Sequence, residues 1–357
     1  MEEILAAQCK SDQTILLILD GIKQGGIQQY YFLLIKEYCK QFNKVSLVVL
    51  EQTESDLQVP TFTNLEILQL NAKSFYDLKT LYQIYKYFRR ISPDFIIASI
   101  YRSQIWSSIV KMRNSKLIWV ENNTYLYRTF TQWKIMRIMA KRVYKVVCIS
   151  QEVKNITDKN INVKSEIVYC PISIPKDSKF KMPHSNDFIF IGRLIEQKNP
   201  ELLLESFAYY CKHFDTNSVM HIVGEGFLLR NLEMQAQELG IKGKCKFHSD
   251  LNGEPKWKLL LRAKTLVSTS KFEGFGIVRF EALSHGRCLV TTNTGGSELL
   301  INKEHLGVFI VPNTPNNIAK AMFESINRKY WYSNILEERV QIIKNLKSEV
   351  VSQLLLK

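Results

Sequence analysis

No histidine precedes residue 184; the six histidines stand at 184, 213, 221, 248, 285 and 305. The first half of the chain therefore cannot supply an imidazole base. The seven cysteines (9, 39, 148, 170, 211, 245 and 288) are odd in number, scattered, and contain no Cys-x-x-Cys pair. That argues against a disulfide framework and a zinc site and for a reducing compartment. No His or carboxylate cluster has metal-ligand spacing, so no bound metal is required. Apolar runs such as 15–19 and 146–149 reach only about five to seven residues, far short of the roughly 20 that span a membrane. The opening Met-Glu-Glu-Ile-Leu-Ala is acidic where a secretory leader is basic. Internal repeats and low-complexity segments are lacking. The expectation is a cytosolic protein without a transmembrane anchor.

What is present is basic charge, unevenly placed. The 357 residues carry a net charge of +14, and the length suits two domains. Residues 101–145 hold ten Lys or Arg and one acidic residue, Glu121, a balance of +9. Tyr101, Trp106, Trp119, Tyr125, Tyr127, Phe130, Trp133 and Tyr144 interleave with them. Lys134, Arg137, Lys141, Arg142 and Lys145 fall at helical spacing. A basic, aromatic, amphipathic helix suits an anionic membrane surface; the alternative is a solvated helix face. No nucleic-acid-reading motif accompanies the charge.

Short β-rich runs alternate with amphipathic stretches. The pattern predicts strands at 14–19, 45–50, 65–68, 95–100, 117–120, 146–150 and 166–169, with helices at 27–40, 76–90 and 130–142. Pro171, Pro175 and Pro183 with intervening lysines mark a link near 171–186. The pattern then restarts, with strands at 187–191, 218–223, 245–248, 265–269, 288–292 and 307–311. Helices are predicted at 200–213, with Pro200 in its first turn, at 228–239, and from Thr314-Pro315 onward. Residues 335–356 are helical enough to pack back on the first domain. Such alternation implies parallel sheets covered on both faces. The fold class is α/β, two doubly wound Rossmann-like domains facing a cleft at the carboxyl ends of their strands. The domains are expected at 1–175 and 186–335, with 336–357 as the returning helix.

The most informative stretch is Lys271-Phe-Glu-Gly-Phe-Gly-Ile-Val-Arg-Phe-Glu281, a Glu-x7-Glu frame around a Gly-Phe-Gly turn. It reads as a strand, a tight loop, and a helix whose N-terminus faces the loop. Free N–H groups at that end suit an anionic or hydroxyl-rich ligand. Carboxylates at Glu273 and Glu281 can accept hydrogen bonds from vicinal sugar hydroxyls. Thr291-Thr-Asn-Thr-Gly-Gly-Ser-Glu298 follows. Upstream, Phe188-Ile-Phe-Ile-Gly-Arg-Leu-Ile-Glu-Gln-Lys-Asn-Pro200 delivers Arg193 and Lys198 to one loop. Two cations there can stabilise a departing diphosphate. Gly25-Gly26 and Val223-Gly-Glu-Gly226 are glycine turns after strands.

Together these stretches resemble the donor site of retaining glycosyltransferases of family 4, which have the GT-B architecture. The resemblance spans nearly the whole chain and is strongest from 186 to 312. It implies that Glu273 and the amides of Phe275, Gly276 and Ile277 meet the donor sugar, that Glu281 holds the ribose, and that Arg193 and Lys198 hold the pyrophosphate. Gly224 would let the backbone approach the nucleotide. Gly25 and Gly26 would face the donor phosphates and the acceptor. Relatives often carry a histidine where this chain has Trp119-Val-Glu-Asn-Asn-Thr124, and Asn122 takes that place. It can hydrogen-bond but cannot titrate. Cys170 and His285 are read as structural.

The resulting expectation is a retaining transferase moving a sugar from a nucleotide-diphosphate donor to a glycan hydroxyl, with UDP favoured over GDP and no cofactor required. A lipid-linked acceptor, in O-antigen or capsule assembly, fits a peripheral enzyme at the inner face of the cell membrane. The alternatives are a nucleotide-sugar epimerase of related fold and a non-catalytic donor- or glycan-binding partner.

Overall fold

The computed structural model describes residues 11–21, 26–51, 61–122, 128–172, 183, 185–214, 217–249, 251, 253–327, 330 and 334–343. The chain forms two compact units that meet in sequence at Pro171 and Ile172. The first alternates β1 (Ser11–Leu19), α1 (Gly26–Gln41), β2 (Phe42–Val49), β3 (Leu65–Gln69), α2 (Leu78–Ile91), β4 (Phe95–Ser99), α3 (Tyr101–Val110), β5 (Lys116–Glu121), α4 (Phe130–Met139), β6 (Lys145–Cys148), α5 (Gln151–Ile161) and β7 (Glu166–Ile167). Its seven strands are parallel in the order β3-β2-β1-β4-β5-β6-β7.

The second unit repeats the scheme with β8 (Phe188–Ile191), α6 (Pro200–His213), β9 (Met220–Val223), α7 (Leu229–Glu238), β10 (Cys245–His248), α8 (Glu254–Arg262), β11 (Thr265–Ser268), α9 (Ile277–Ser284), β12 (Cys288–Thr292), β13 (Val308–Val311) and α10 (Pro315–Ser325). Its parallel order is β10-β9-β8-β11-β12-β13. Both sheets are doubly wound, as expected. Each reverses strand order once, at β1/β4 and at β8/β11. Ligands of open α/β sheets bind outside the carboxyl ends at that reversal.

The central strands are apolar nearly along their length because both sheet faces are covered, while the edge strands β3, β7 and β10 carry partly exposed residues. Leu16, Ile18, Val48, Ile96, Ala98, Leu117 and Trp119 enter one core with Ile84 and Phe88 of α2 and Trp106 of α3. Phe188, Phe190, Met220, Ile222, Val267 and Val290 enter the other with Leu203 and Phe207 of α6 and Met322 of α10. Trp106, Trp119 and Trp133, counted above with the basic segment, are buried in the first core. They are not surface aromatics.

Helix ends follow local chemistry. Asp77 caps α2 by accepting from Thr80 N at 3.1 Å. Thr129 and Gln132 form a reciprocal capping box at α4. Pro200 opens α6 as predicted. Thr314 stands at the cap position of α10, but its side chain accepts no cap bond. Helices α3, α5 and α8 were not predicted. In α3 the inward face is polar: Ser107 Oγ donates to Ser103 O at 2.5 Å and Ser108 Oγ to Gln104 O at 2.8 Å. Serines that satisfy themselves on the preceding turn can be buried, and they erase the apolar period.

Residues 334–343 are helical. Arg339 ties this helix to the second unit, donating to Leu306 O at 2.6 Å, Gly286 O at 2.7 Å and Tyr330 O at 2.8 Å. The rest of the expected returning helix, 344–357, lies outside the described residues.

Candidate active site

Four loops leave the carboxyl ends of β8, β9, β11 and β12, around the reversal point of the second sheet. They carry Arg193 and Lys198, Gly224, Glu273 to Ile277, and Gly295-Gly296. Of the residues singled out from sequence in this unit, Arg193, Lys198, Gly224, Glu273, Phe275 and Gly276 thus lie on loops at one end of the sheet, Ile277 begins α9, and Glu281 lies on α9.

The loops are stitched by their backbones. Gly192 N donates to Val223 O at 3.0 Å and Leu194 N to Glu225 O at 2.7 Å. Lys271 N donates to Gln197 O at 2.9 Å, and Gln197 Nε2 to Phe272 O at 3.2 Å. The glycines have a packing reason. A Cβ on Gly224 would lie 1.9 Å from Gly192 O, and one on Gly226 would lie 2.1 Å from Leu194 O. The close approach they permit is to the neighbouring loop.

Glu273 is buried and held by two donors on one oxygen, the Lys198 ammonium and Ser270 Oγ at 2.7 Å. Burial alone would raise its carboxyl. The Lys198 ammonium and Arg279 guanidinium, with the hydrogen bonds from Lys198 and Ser270, outweigh that and hold it below its ordinary value. Arg193 is exposed, its guanidinium 3.4 Å from Gln197 Oε1. Phe275 is buried and its ring stacks on Phe280 with centroids 4.5 Å apart. Only its backbone can meet a ligand. Gly276 adopts φ +71° at the N-cap of α9, ahead of first-turn N–H groups of which Arg279 N donates to Gly276 O at 3.0 Å.

Glu281 differs from Glu273. It is buried on α9, and among the described residues no hydrogen bond reaches its carboxylate. Burial pushes its carboxyl up, against the pull of the Lys256 ammonium. At 6% exposure the residue keeps some contact with solvent, and its unpaired oxygens have acceptor capacity that a ligand's hydroxyls can use. Sequence reasoning missed Lys256. It sits over the Trp257 ring, 3.9 Å from the centroid, and Trp257 stacks on His285. His285 is the C-cap residue of α9, and its Nδ1 lies 2.8 Å from Glu281 O. Arg279 was also missed; it is fully buried among the loops after β11 and β12.

Glu281→Gln separates ligand binding from folding. A carboxyl raised in the folded state is stabilising when protonated, at low pH. That contribution is lost as pH rises through the raised value. The amide removes this cost at neutral pH. The variant is expected to melt no lower than the wild type at pH 8, with its margin over the wild type larger at pH 8 than at pH 5. It is also expected to lose about tenfold in nucleoside-diphosphate affinity, the worth of a hydrogen bond to a charged acceptor. Thermal melts at the two pH values and a UDP titration check both.

In the first unit, Asn122 follows β5 and is buried. Its Nδ2 donates to Ser99 Oγ and lies 3.4 Å from Tyr31 Oη, while Oδ1 has no partner among the described residues. Burial raises the Tyr31 hydroxyl, so this cluster is neutral at physiological pH. Ile100, beside Ser99, holds φ +73°, a conformation uncommon for a β-branched residue. Gly26 begins α1, and Gly25 lies outside the described residues. Cys170 is buried, and burial raises its thiol.

Two doubly wound parallel sheets are the fold of the GT-B architecture. Residues 24–175 match the family described as Glycosyltransferase Family 4, and residues 175–349 match Glycosyl transferases group 1. The chain belongs to the family 4 glycosyltransferases. It is 25% identical over 349 residues to a Campylobacter jejuni enzyme named GalNAc-alpha-(1->4)-GalNAc-alpha-(1->3)-diNAcBac-PP-undecaprenol alpha-1,4-N-acetyl-D-galactosaminyltransferase, covering 93% of this chain and 94% of that one. Two uncharacterized glycosyltransferases of Methanocaldococcus jannaschii match over 44% and 52% of this chain, at 29% and 24% identity, and the match spans only 44% and 50% of their own lengths. Among solved structures, Anabaena HepE in complex with UDP and glucose superposes with a TM-score of 0.77 at 15% identity, covering 96% of this chain and 99% of that one. WaaG, a glycosyltransferase involved in lipopolysaccharide biosynthesis, superposes with a TM-score of 0.66 at 14% identity, covering 94% and 95%. At such identities these likenesses concern the fold.

Proposed function

We propose that this chain is a retaining glycosyltransferase that moves a sugar from a UDP-sugar to a hydroxyl of a lipid-linked glycan. The observation that carries the reading is the largely buried Glu281 carboxylate, without a hydrogen-bond donor among the described residues, on the helix that follows the Glu273–Ile277 loop. Glu281 takes the ribose hydroxyls. Arg193 and Lys198 take the diphosphate. Glu273 and the amides of Phe275, Gly276 and Ile277 take the donor sugar. The bond from the sugar's anomeric carbon to the phosphate oxygen breaks as one to the acceptor oxygen forms on the same face. The acceptor's proton passes to the departing phosphate, so the chain needs no nucleophile. Asn122 and Gly26 belong to the acceptor side. UDP is favoured because the HepE structure holds UDP. A lipid-linked acceptor is favoured by the name of the Campylobacter relative. Surface polysaccharide assembly, of an O-antigen or capsule, is the setting. The test is nucleotide release from a panel of UDP- and GDP-sugars, with and without membrane lipid extract.

The enzyme works at an anionic membrane surface. Among the described residues no helix is long and apolar enough to cross a membrane. The support comes from α4, whose outer face exposes Phe130 and Ile138 (81% and 61%) beside Lys134, followed by Lys141 and Arg142. Each basic residue near such a surface contributes about 1 kcal/mol. The double variant Lys134→Glu/Arg142→Glu is therefore expected to bind phosphatidylglycerol vesicles at least about tenfold more weakly in sedimentation, and wild-type binding should fall as salt rises. Equal binding of both proteins would remove α4 from the account.

A further inference from the structure

Arg279 has a fully buried guanidinium inside the donor-loop set. Its Nη2 donates to Phe275 O at 2.6 Å and to Gly295 O. Its Nη1 donates to Ser297 Oγ at 2.8 Å and Thr294 Oγ1 at 3.1 Å, and its Nε lies 3.4 Å from Gly276 O. One side chain thus joins the loop after β11 to the turn after β12. Burying a guanidinium is unfavourable unless its donors are met, and an aliphatic residue would fill this face of α9 at less cost.

The surrounding glycines make room for it. A Cβ on Gly276 would lie 2.4 Å from Arg279 Nε. A Cβ on Gly296 would lie 2.3 Å from Phe275 O and 3.2 Å from Arg279 Nη2. Both glycines also hold positive φ, +71° and +87°. The Gly-Phe-Gly and Thr-Gly-Gly-Ser segments are therefore fitted to one guanidinium, which fixes the direction of the backbone between Phe275 and Ile277.

We propose that Arg279 is a positioning residue of the donor site: by locking the β11 loop to the β12 turn, its guanidinium holds the Phe275–Ile277 amides where they receive the nucleotide sugar. This rests on the reading that those amides meet the donor. The guanidinium also adds a fixed positive charge behind the α9 N-terminus, where an anionic ligand is favoured.

The test uses the full chain with Arg279→Lys, which keeps the charge and loses the fork, and Ser297→Ala, which removes one acceptor of the lock. Each is titrated with UDP, then GDP, below its melting temperature, and the KM values for donor and acceptor are measured separately. Losing a charged hydrogen bond is worth about tenfold. Ser297→Ala is expected to raise nucleotide Kd and donor KM several-fold, and Arg279→Lys tenfold or more, with acceptor KM unchanged. A residue that only supported the fold would lower the melting temperature and the active fraction while leaving every KM in place. That result, with nucleotide affinity within twofold of wild type in both variants, overturns the proposal. Should Arg279→Lys not fold, Ser297→Ala decides alone. If the wild type binds neither nucleotide, the donor-site reading itself fails, and the proposal with it.

Discussion

Lys198→Ala should lower turnover about 10²–10³-fold, the usual consequence of removing one preorganised group that stabilises developing charge. The departing diphosphate gains negative charge in the transition state, and the Lys198 ammonium sits on the loop that would face it. The same ammonium is the ion-pair partner of buried Glu273. Removing it takes away the ion-pair partner of a buried carboxylate, leaving only Ser270 and the Arg279 charge, at a cost of about 3 kcal/mol in stability. The two effects are separable. In Lys198→Ala/Glu273→Gln the stranded charge is gone, so melting temperature should return toward that of the wild type while turnover stays low. Coupling in stability without coupling in turnover would mark the Lys198–Glu273 contact as structural and the effect of Lys198 on turnover as independent of Glu273. If Lys198→Ala kept full turnover, the diphosphate assignment would be wrong.

Gly224→Ala is expected to be strongly destabilising in the second unit. Its Cβ would lie 1.9 Å from the Gly192 carbonyl oxygen at φ +147°, so the loops after β8 and β9 must part. Overpacking and backbone strain together cost about 3–5 kcal/mol, which for a unit of this size lowers the melting temperature by about 10 °C. Arg193 and Lys198 leave on the displaced loop, so nucleotide affinity should fall with it. Gly243 is the control. A Cβ there meets nothing within 4 Å, and Gly243→Ala should stay within about 0.5 kcal/mol of the wild type. Differential scanning calorimetry of the two variants checks both expectations. Equal melting temperatures would mean that the loops open freely.

The sheets were legible because the central strands, such as β4, β5, β8, β9, β11 and β12, are short runs that are buried or nearly so on both faces. The unpredicted helices have separate causes. In α3, buried Ser103, Gln104, Ser107 and Ser108 replace the apolar stripe. In α5, Thr157 stands between Val153 and Ile161 on the buried face, and the Ser150 cap was read as strand. Pro255, in the first turn of α8, was an available signal that went unused. The loops around the reversal point of the second sheet were legible from their glycines, although the structure gives Gly224 a partner in the next loop. Arg279 and Lys256 were not, because a charged residue in an amphipathic helix start reads as solvated. Only the fold showed one of them buried against six oxygen acceptors and the other acting on a buried carboxylate. Interleaved tryptophans likewise read as a surface until the core claimed Trp106, Trp119 and Trp133.

The central claim is tested most directly by incubating the purified protein with a panel of UDP- and GDP-sugars, with and without membrane lipid extract from the source cells, and measuring nucleotide release. The account expects UDP release from one donor, dependent on the extract, and its loss in Lys198→Ala. Bound nucleotide without release across the whole panel, or an isomerised sugar formed without any acceptor, would contradict it.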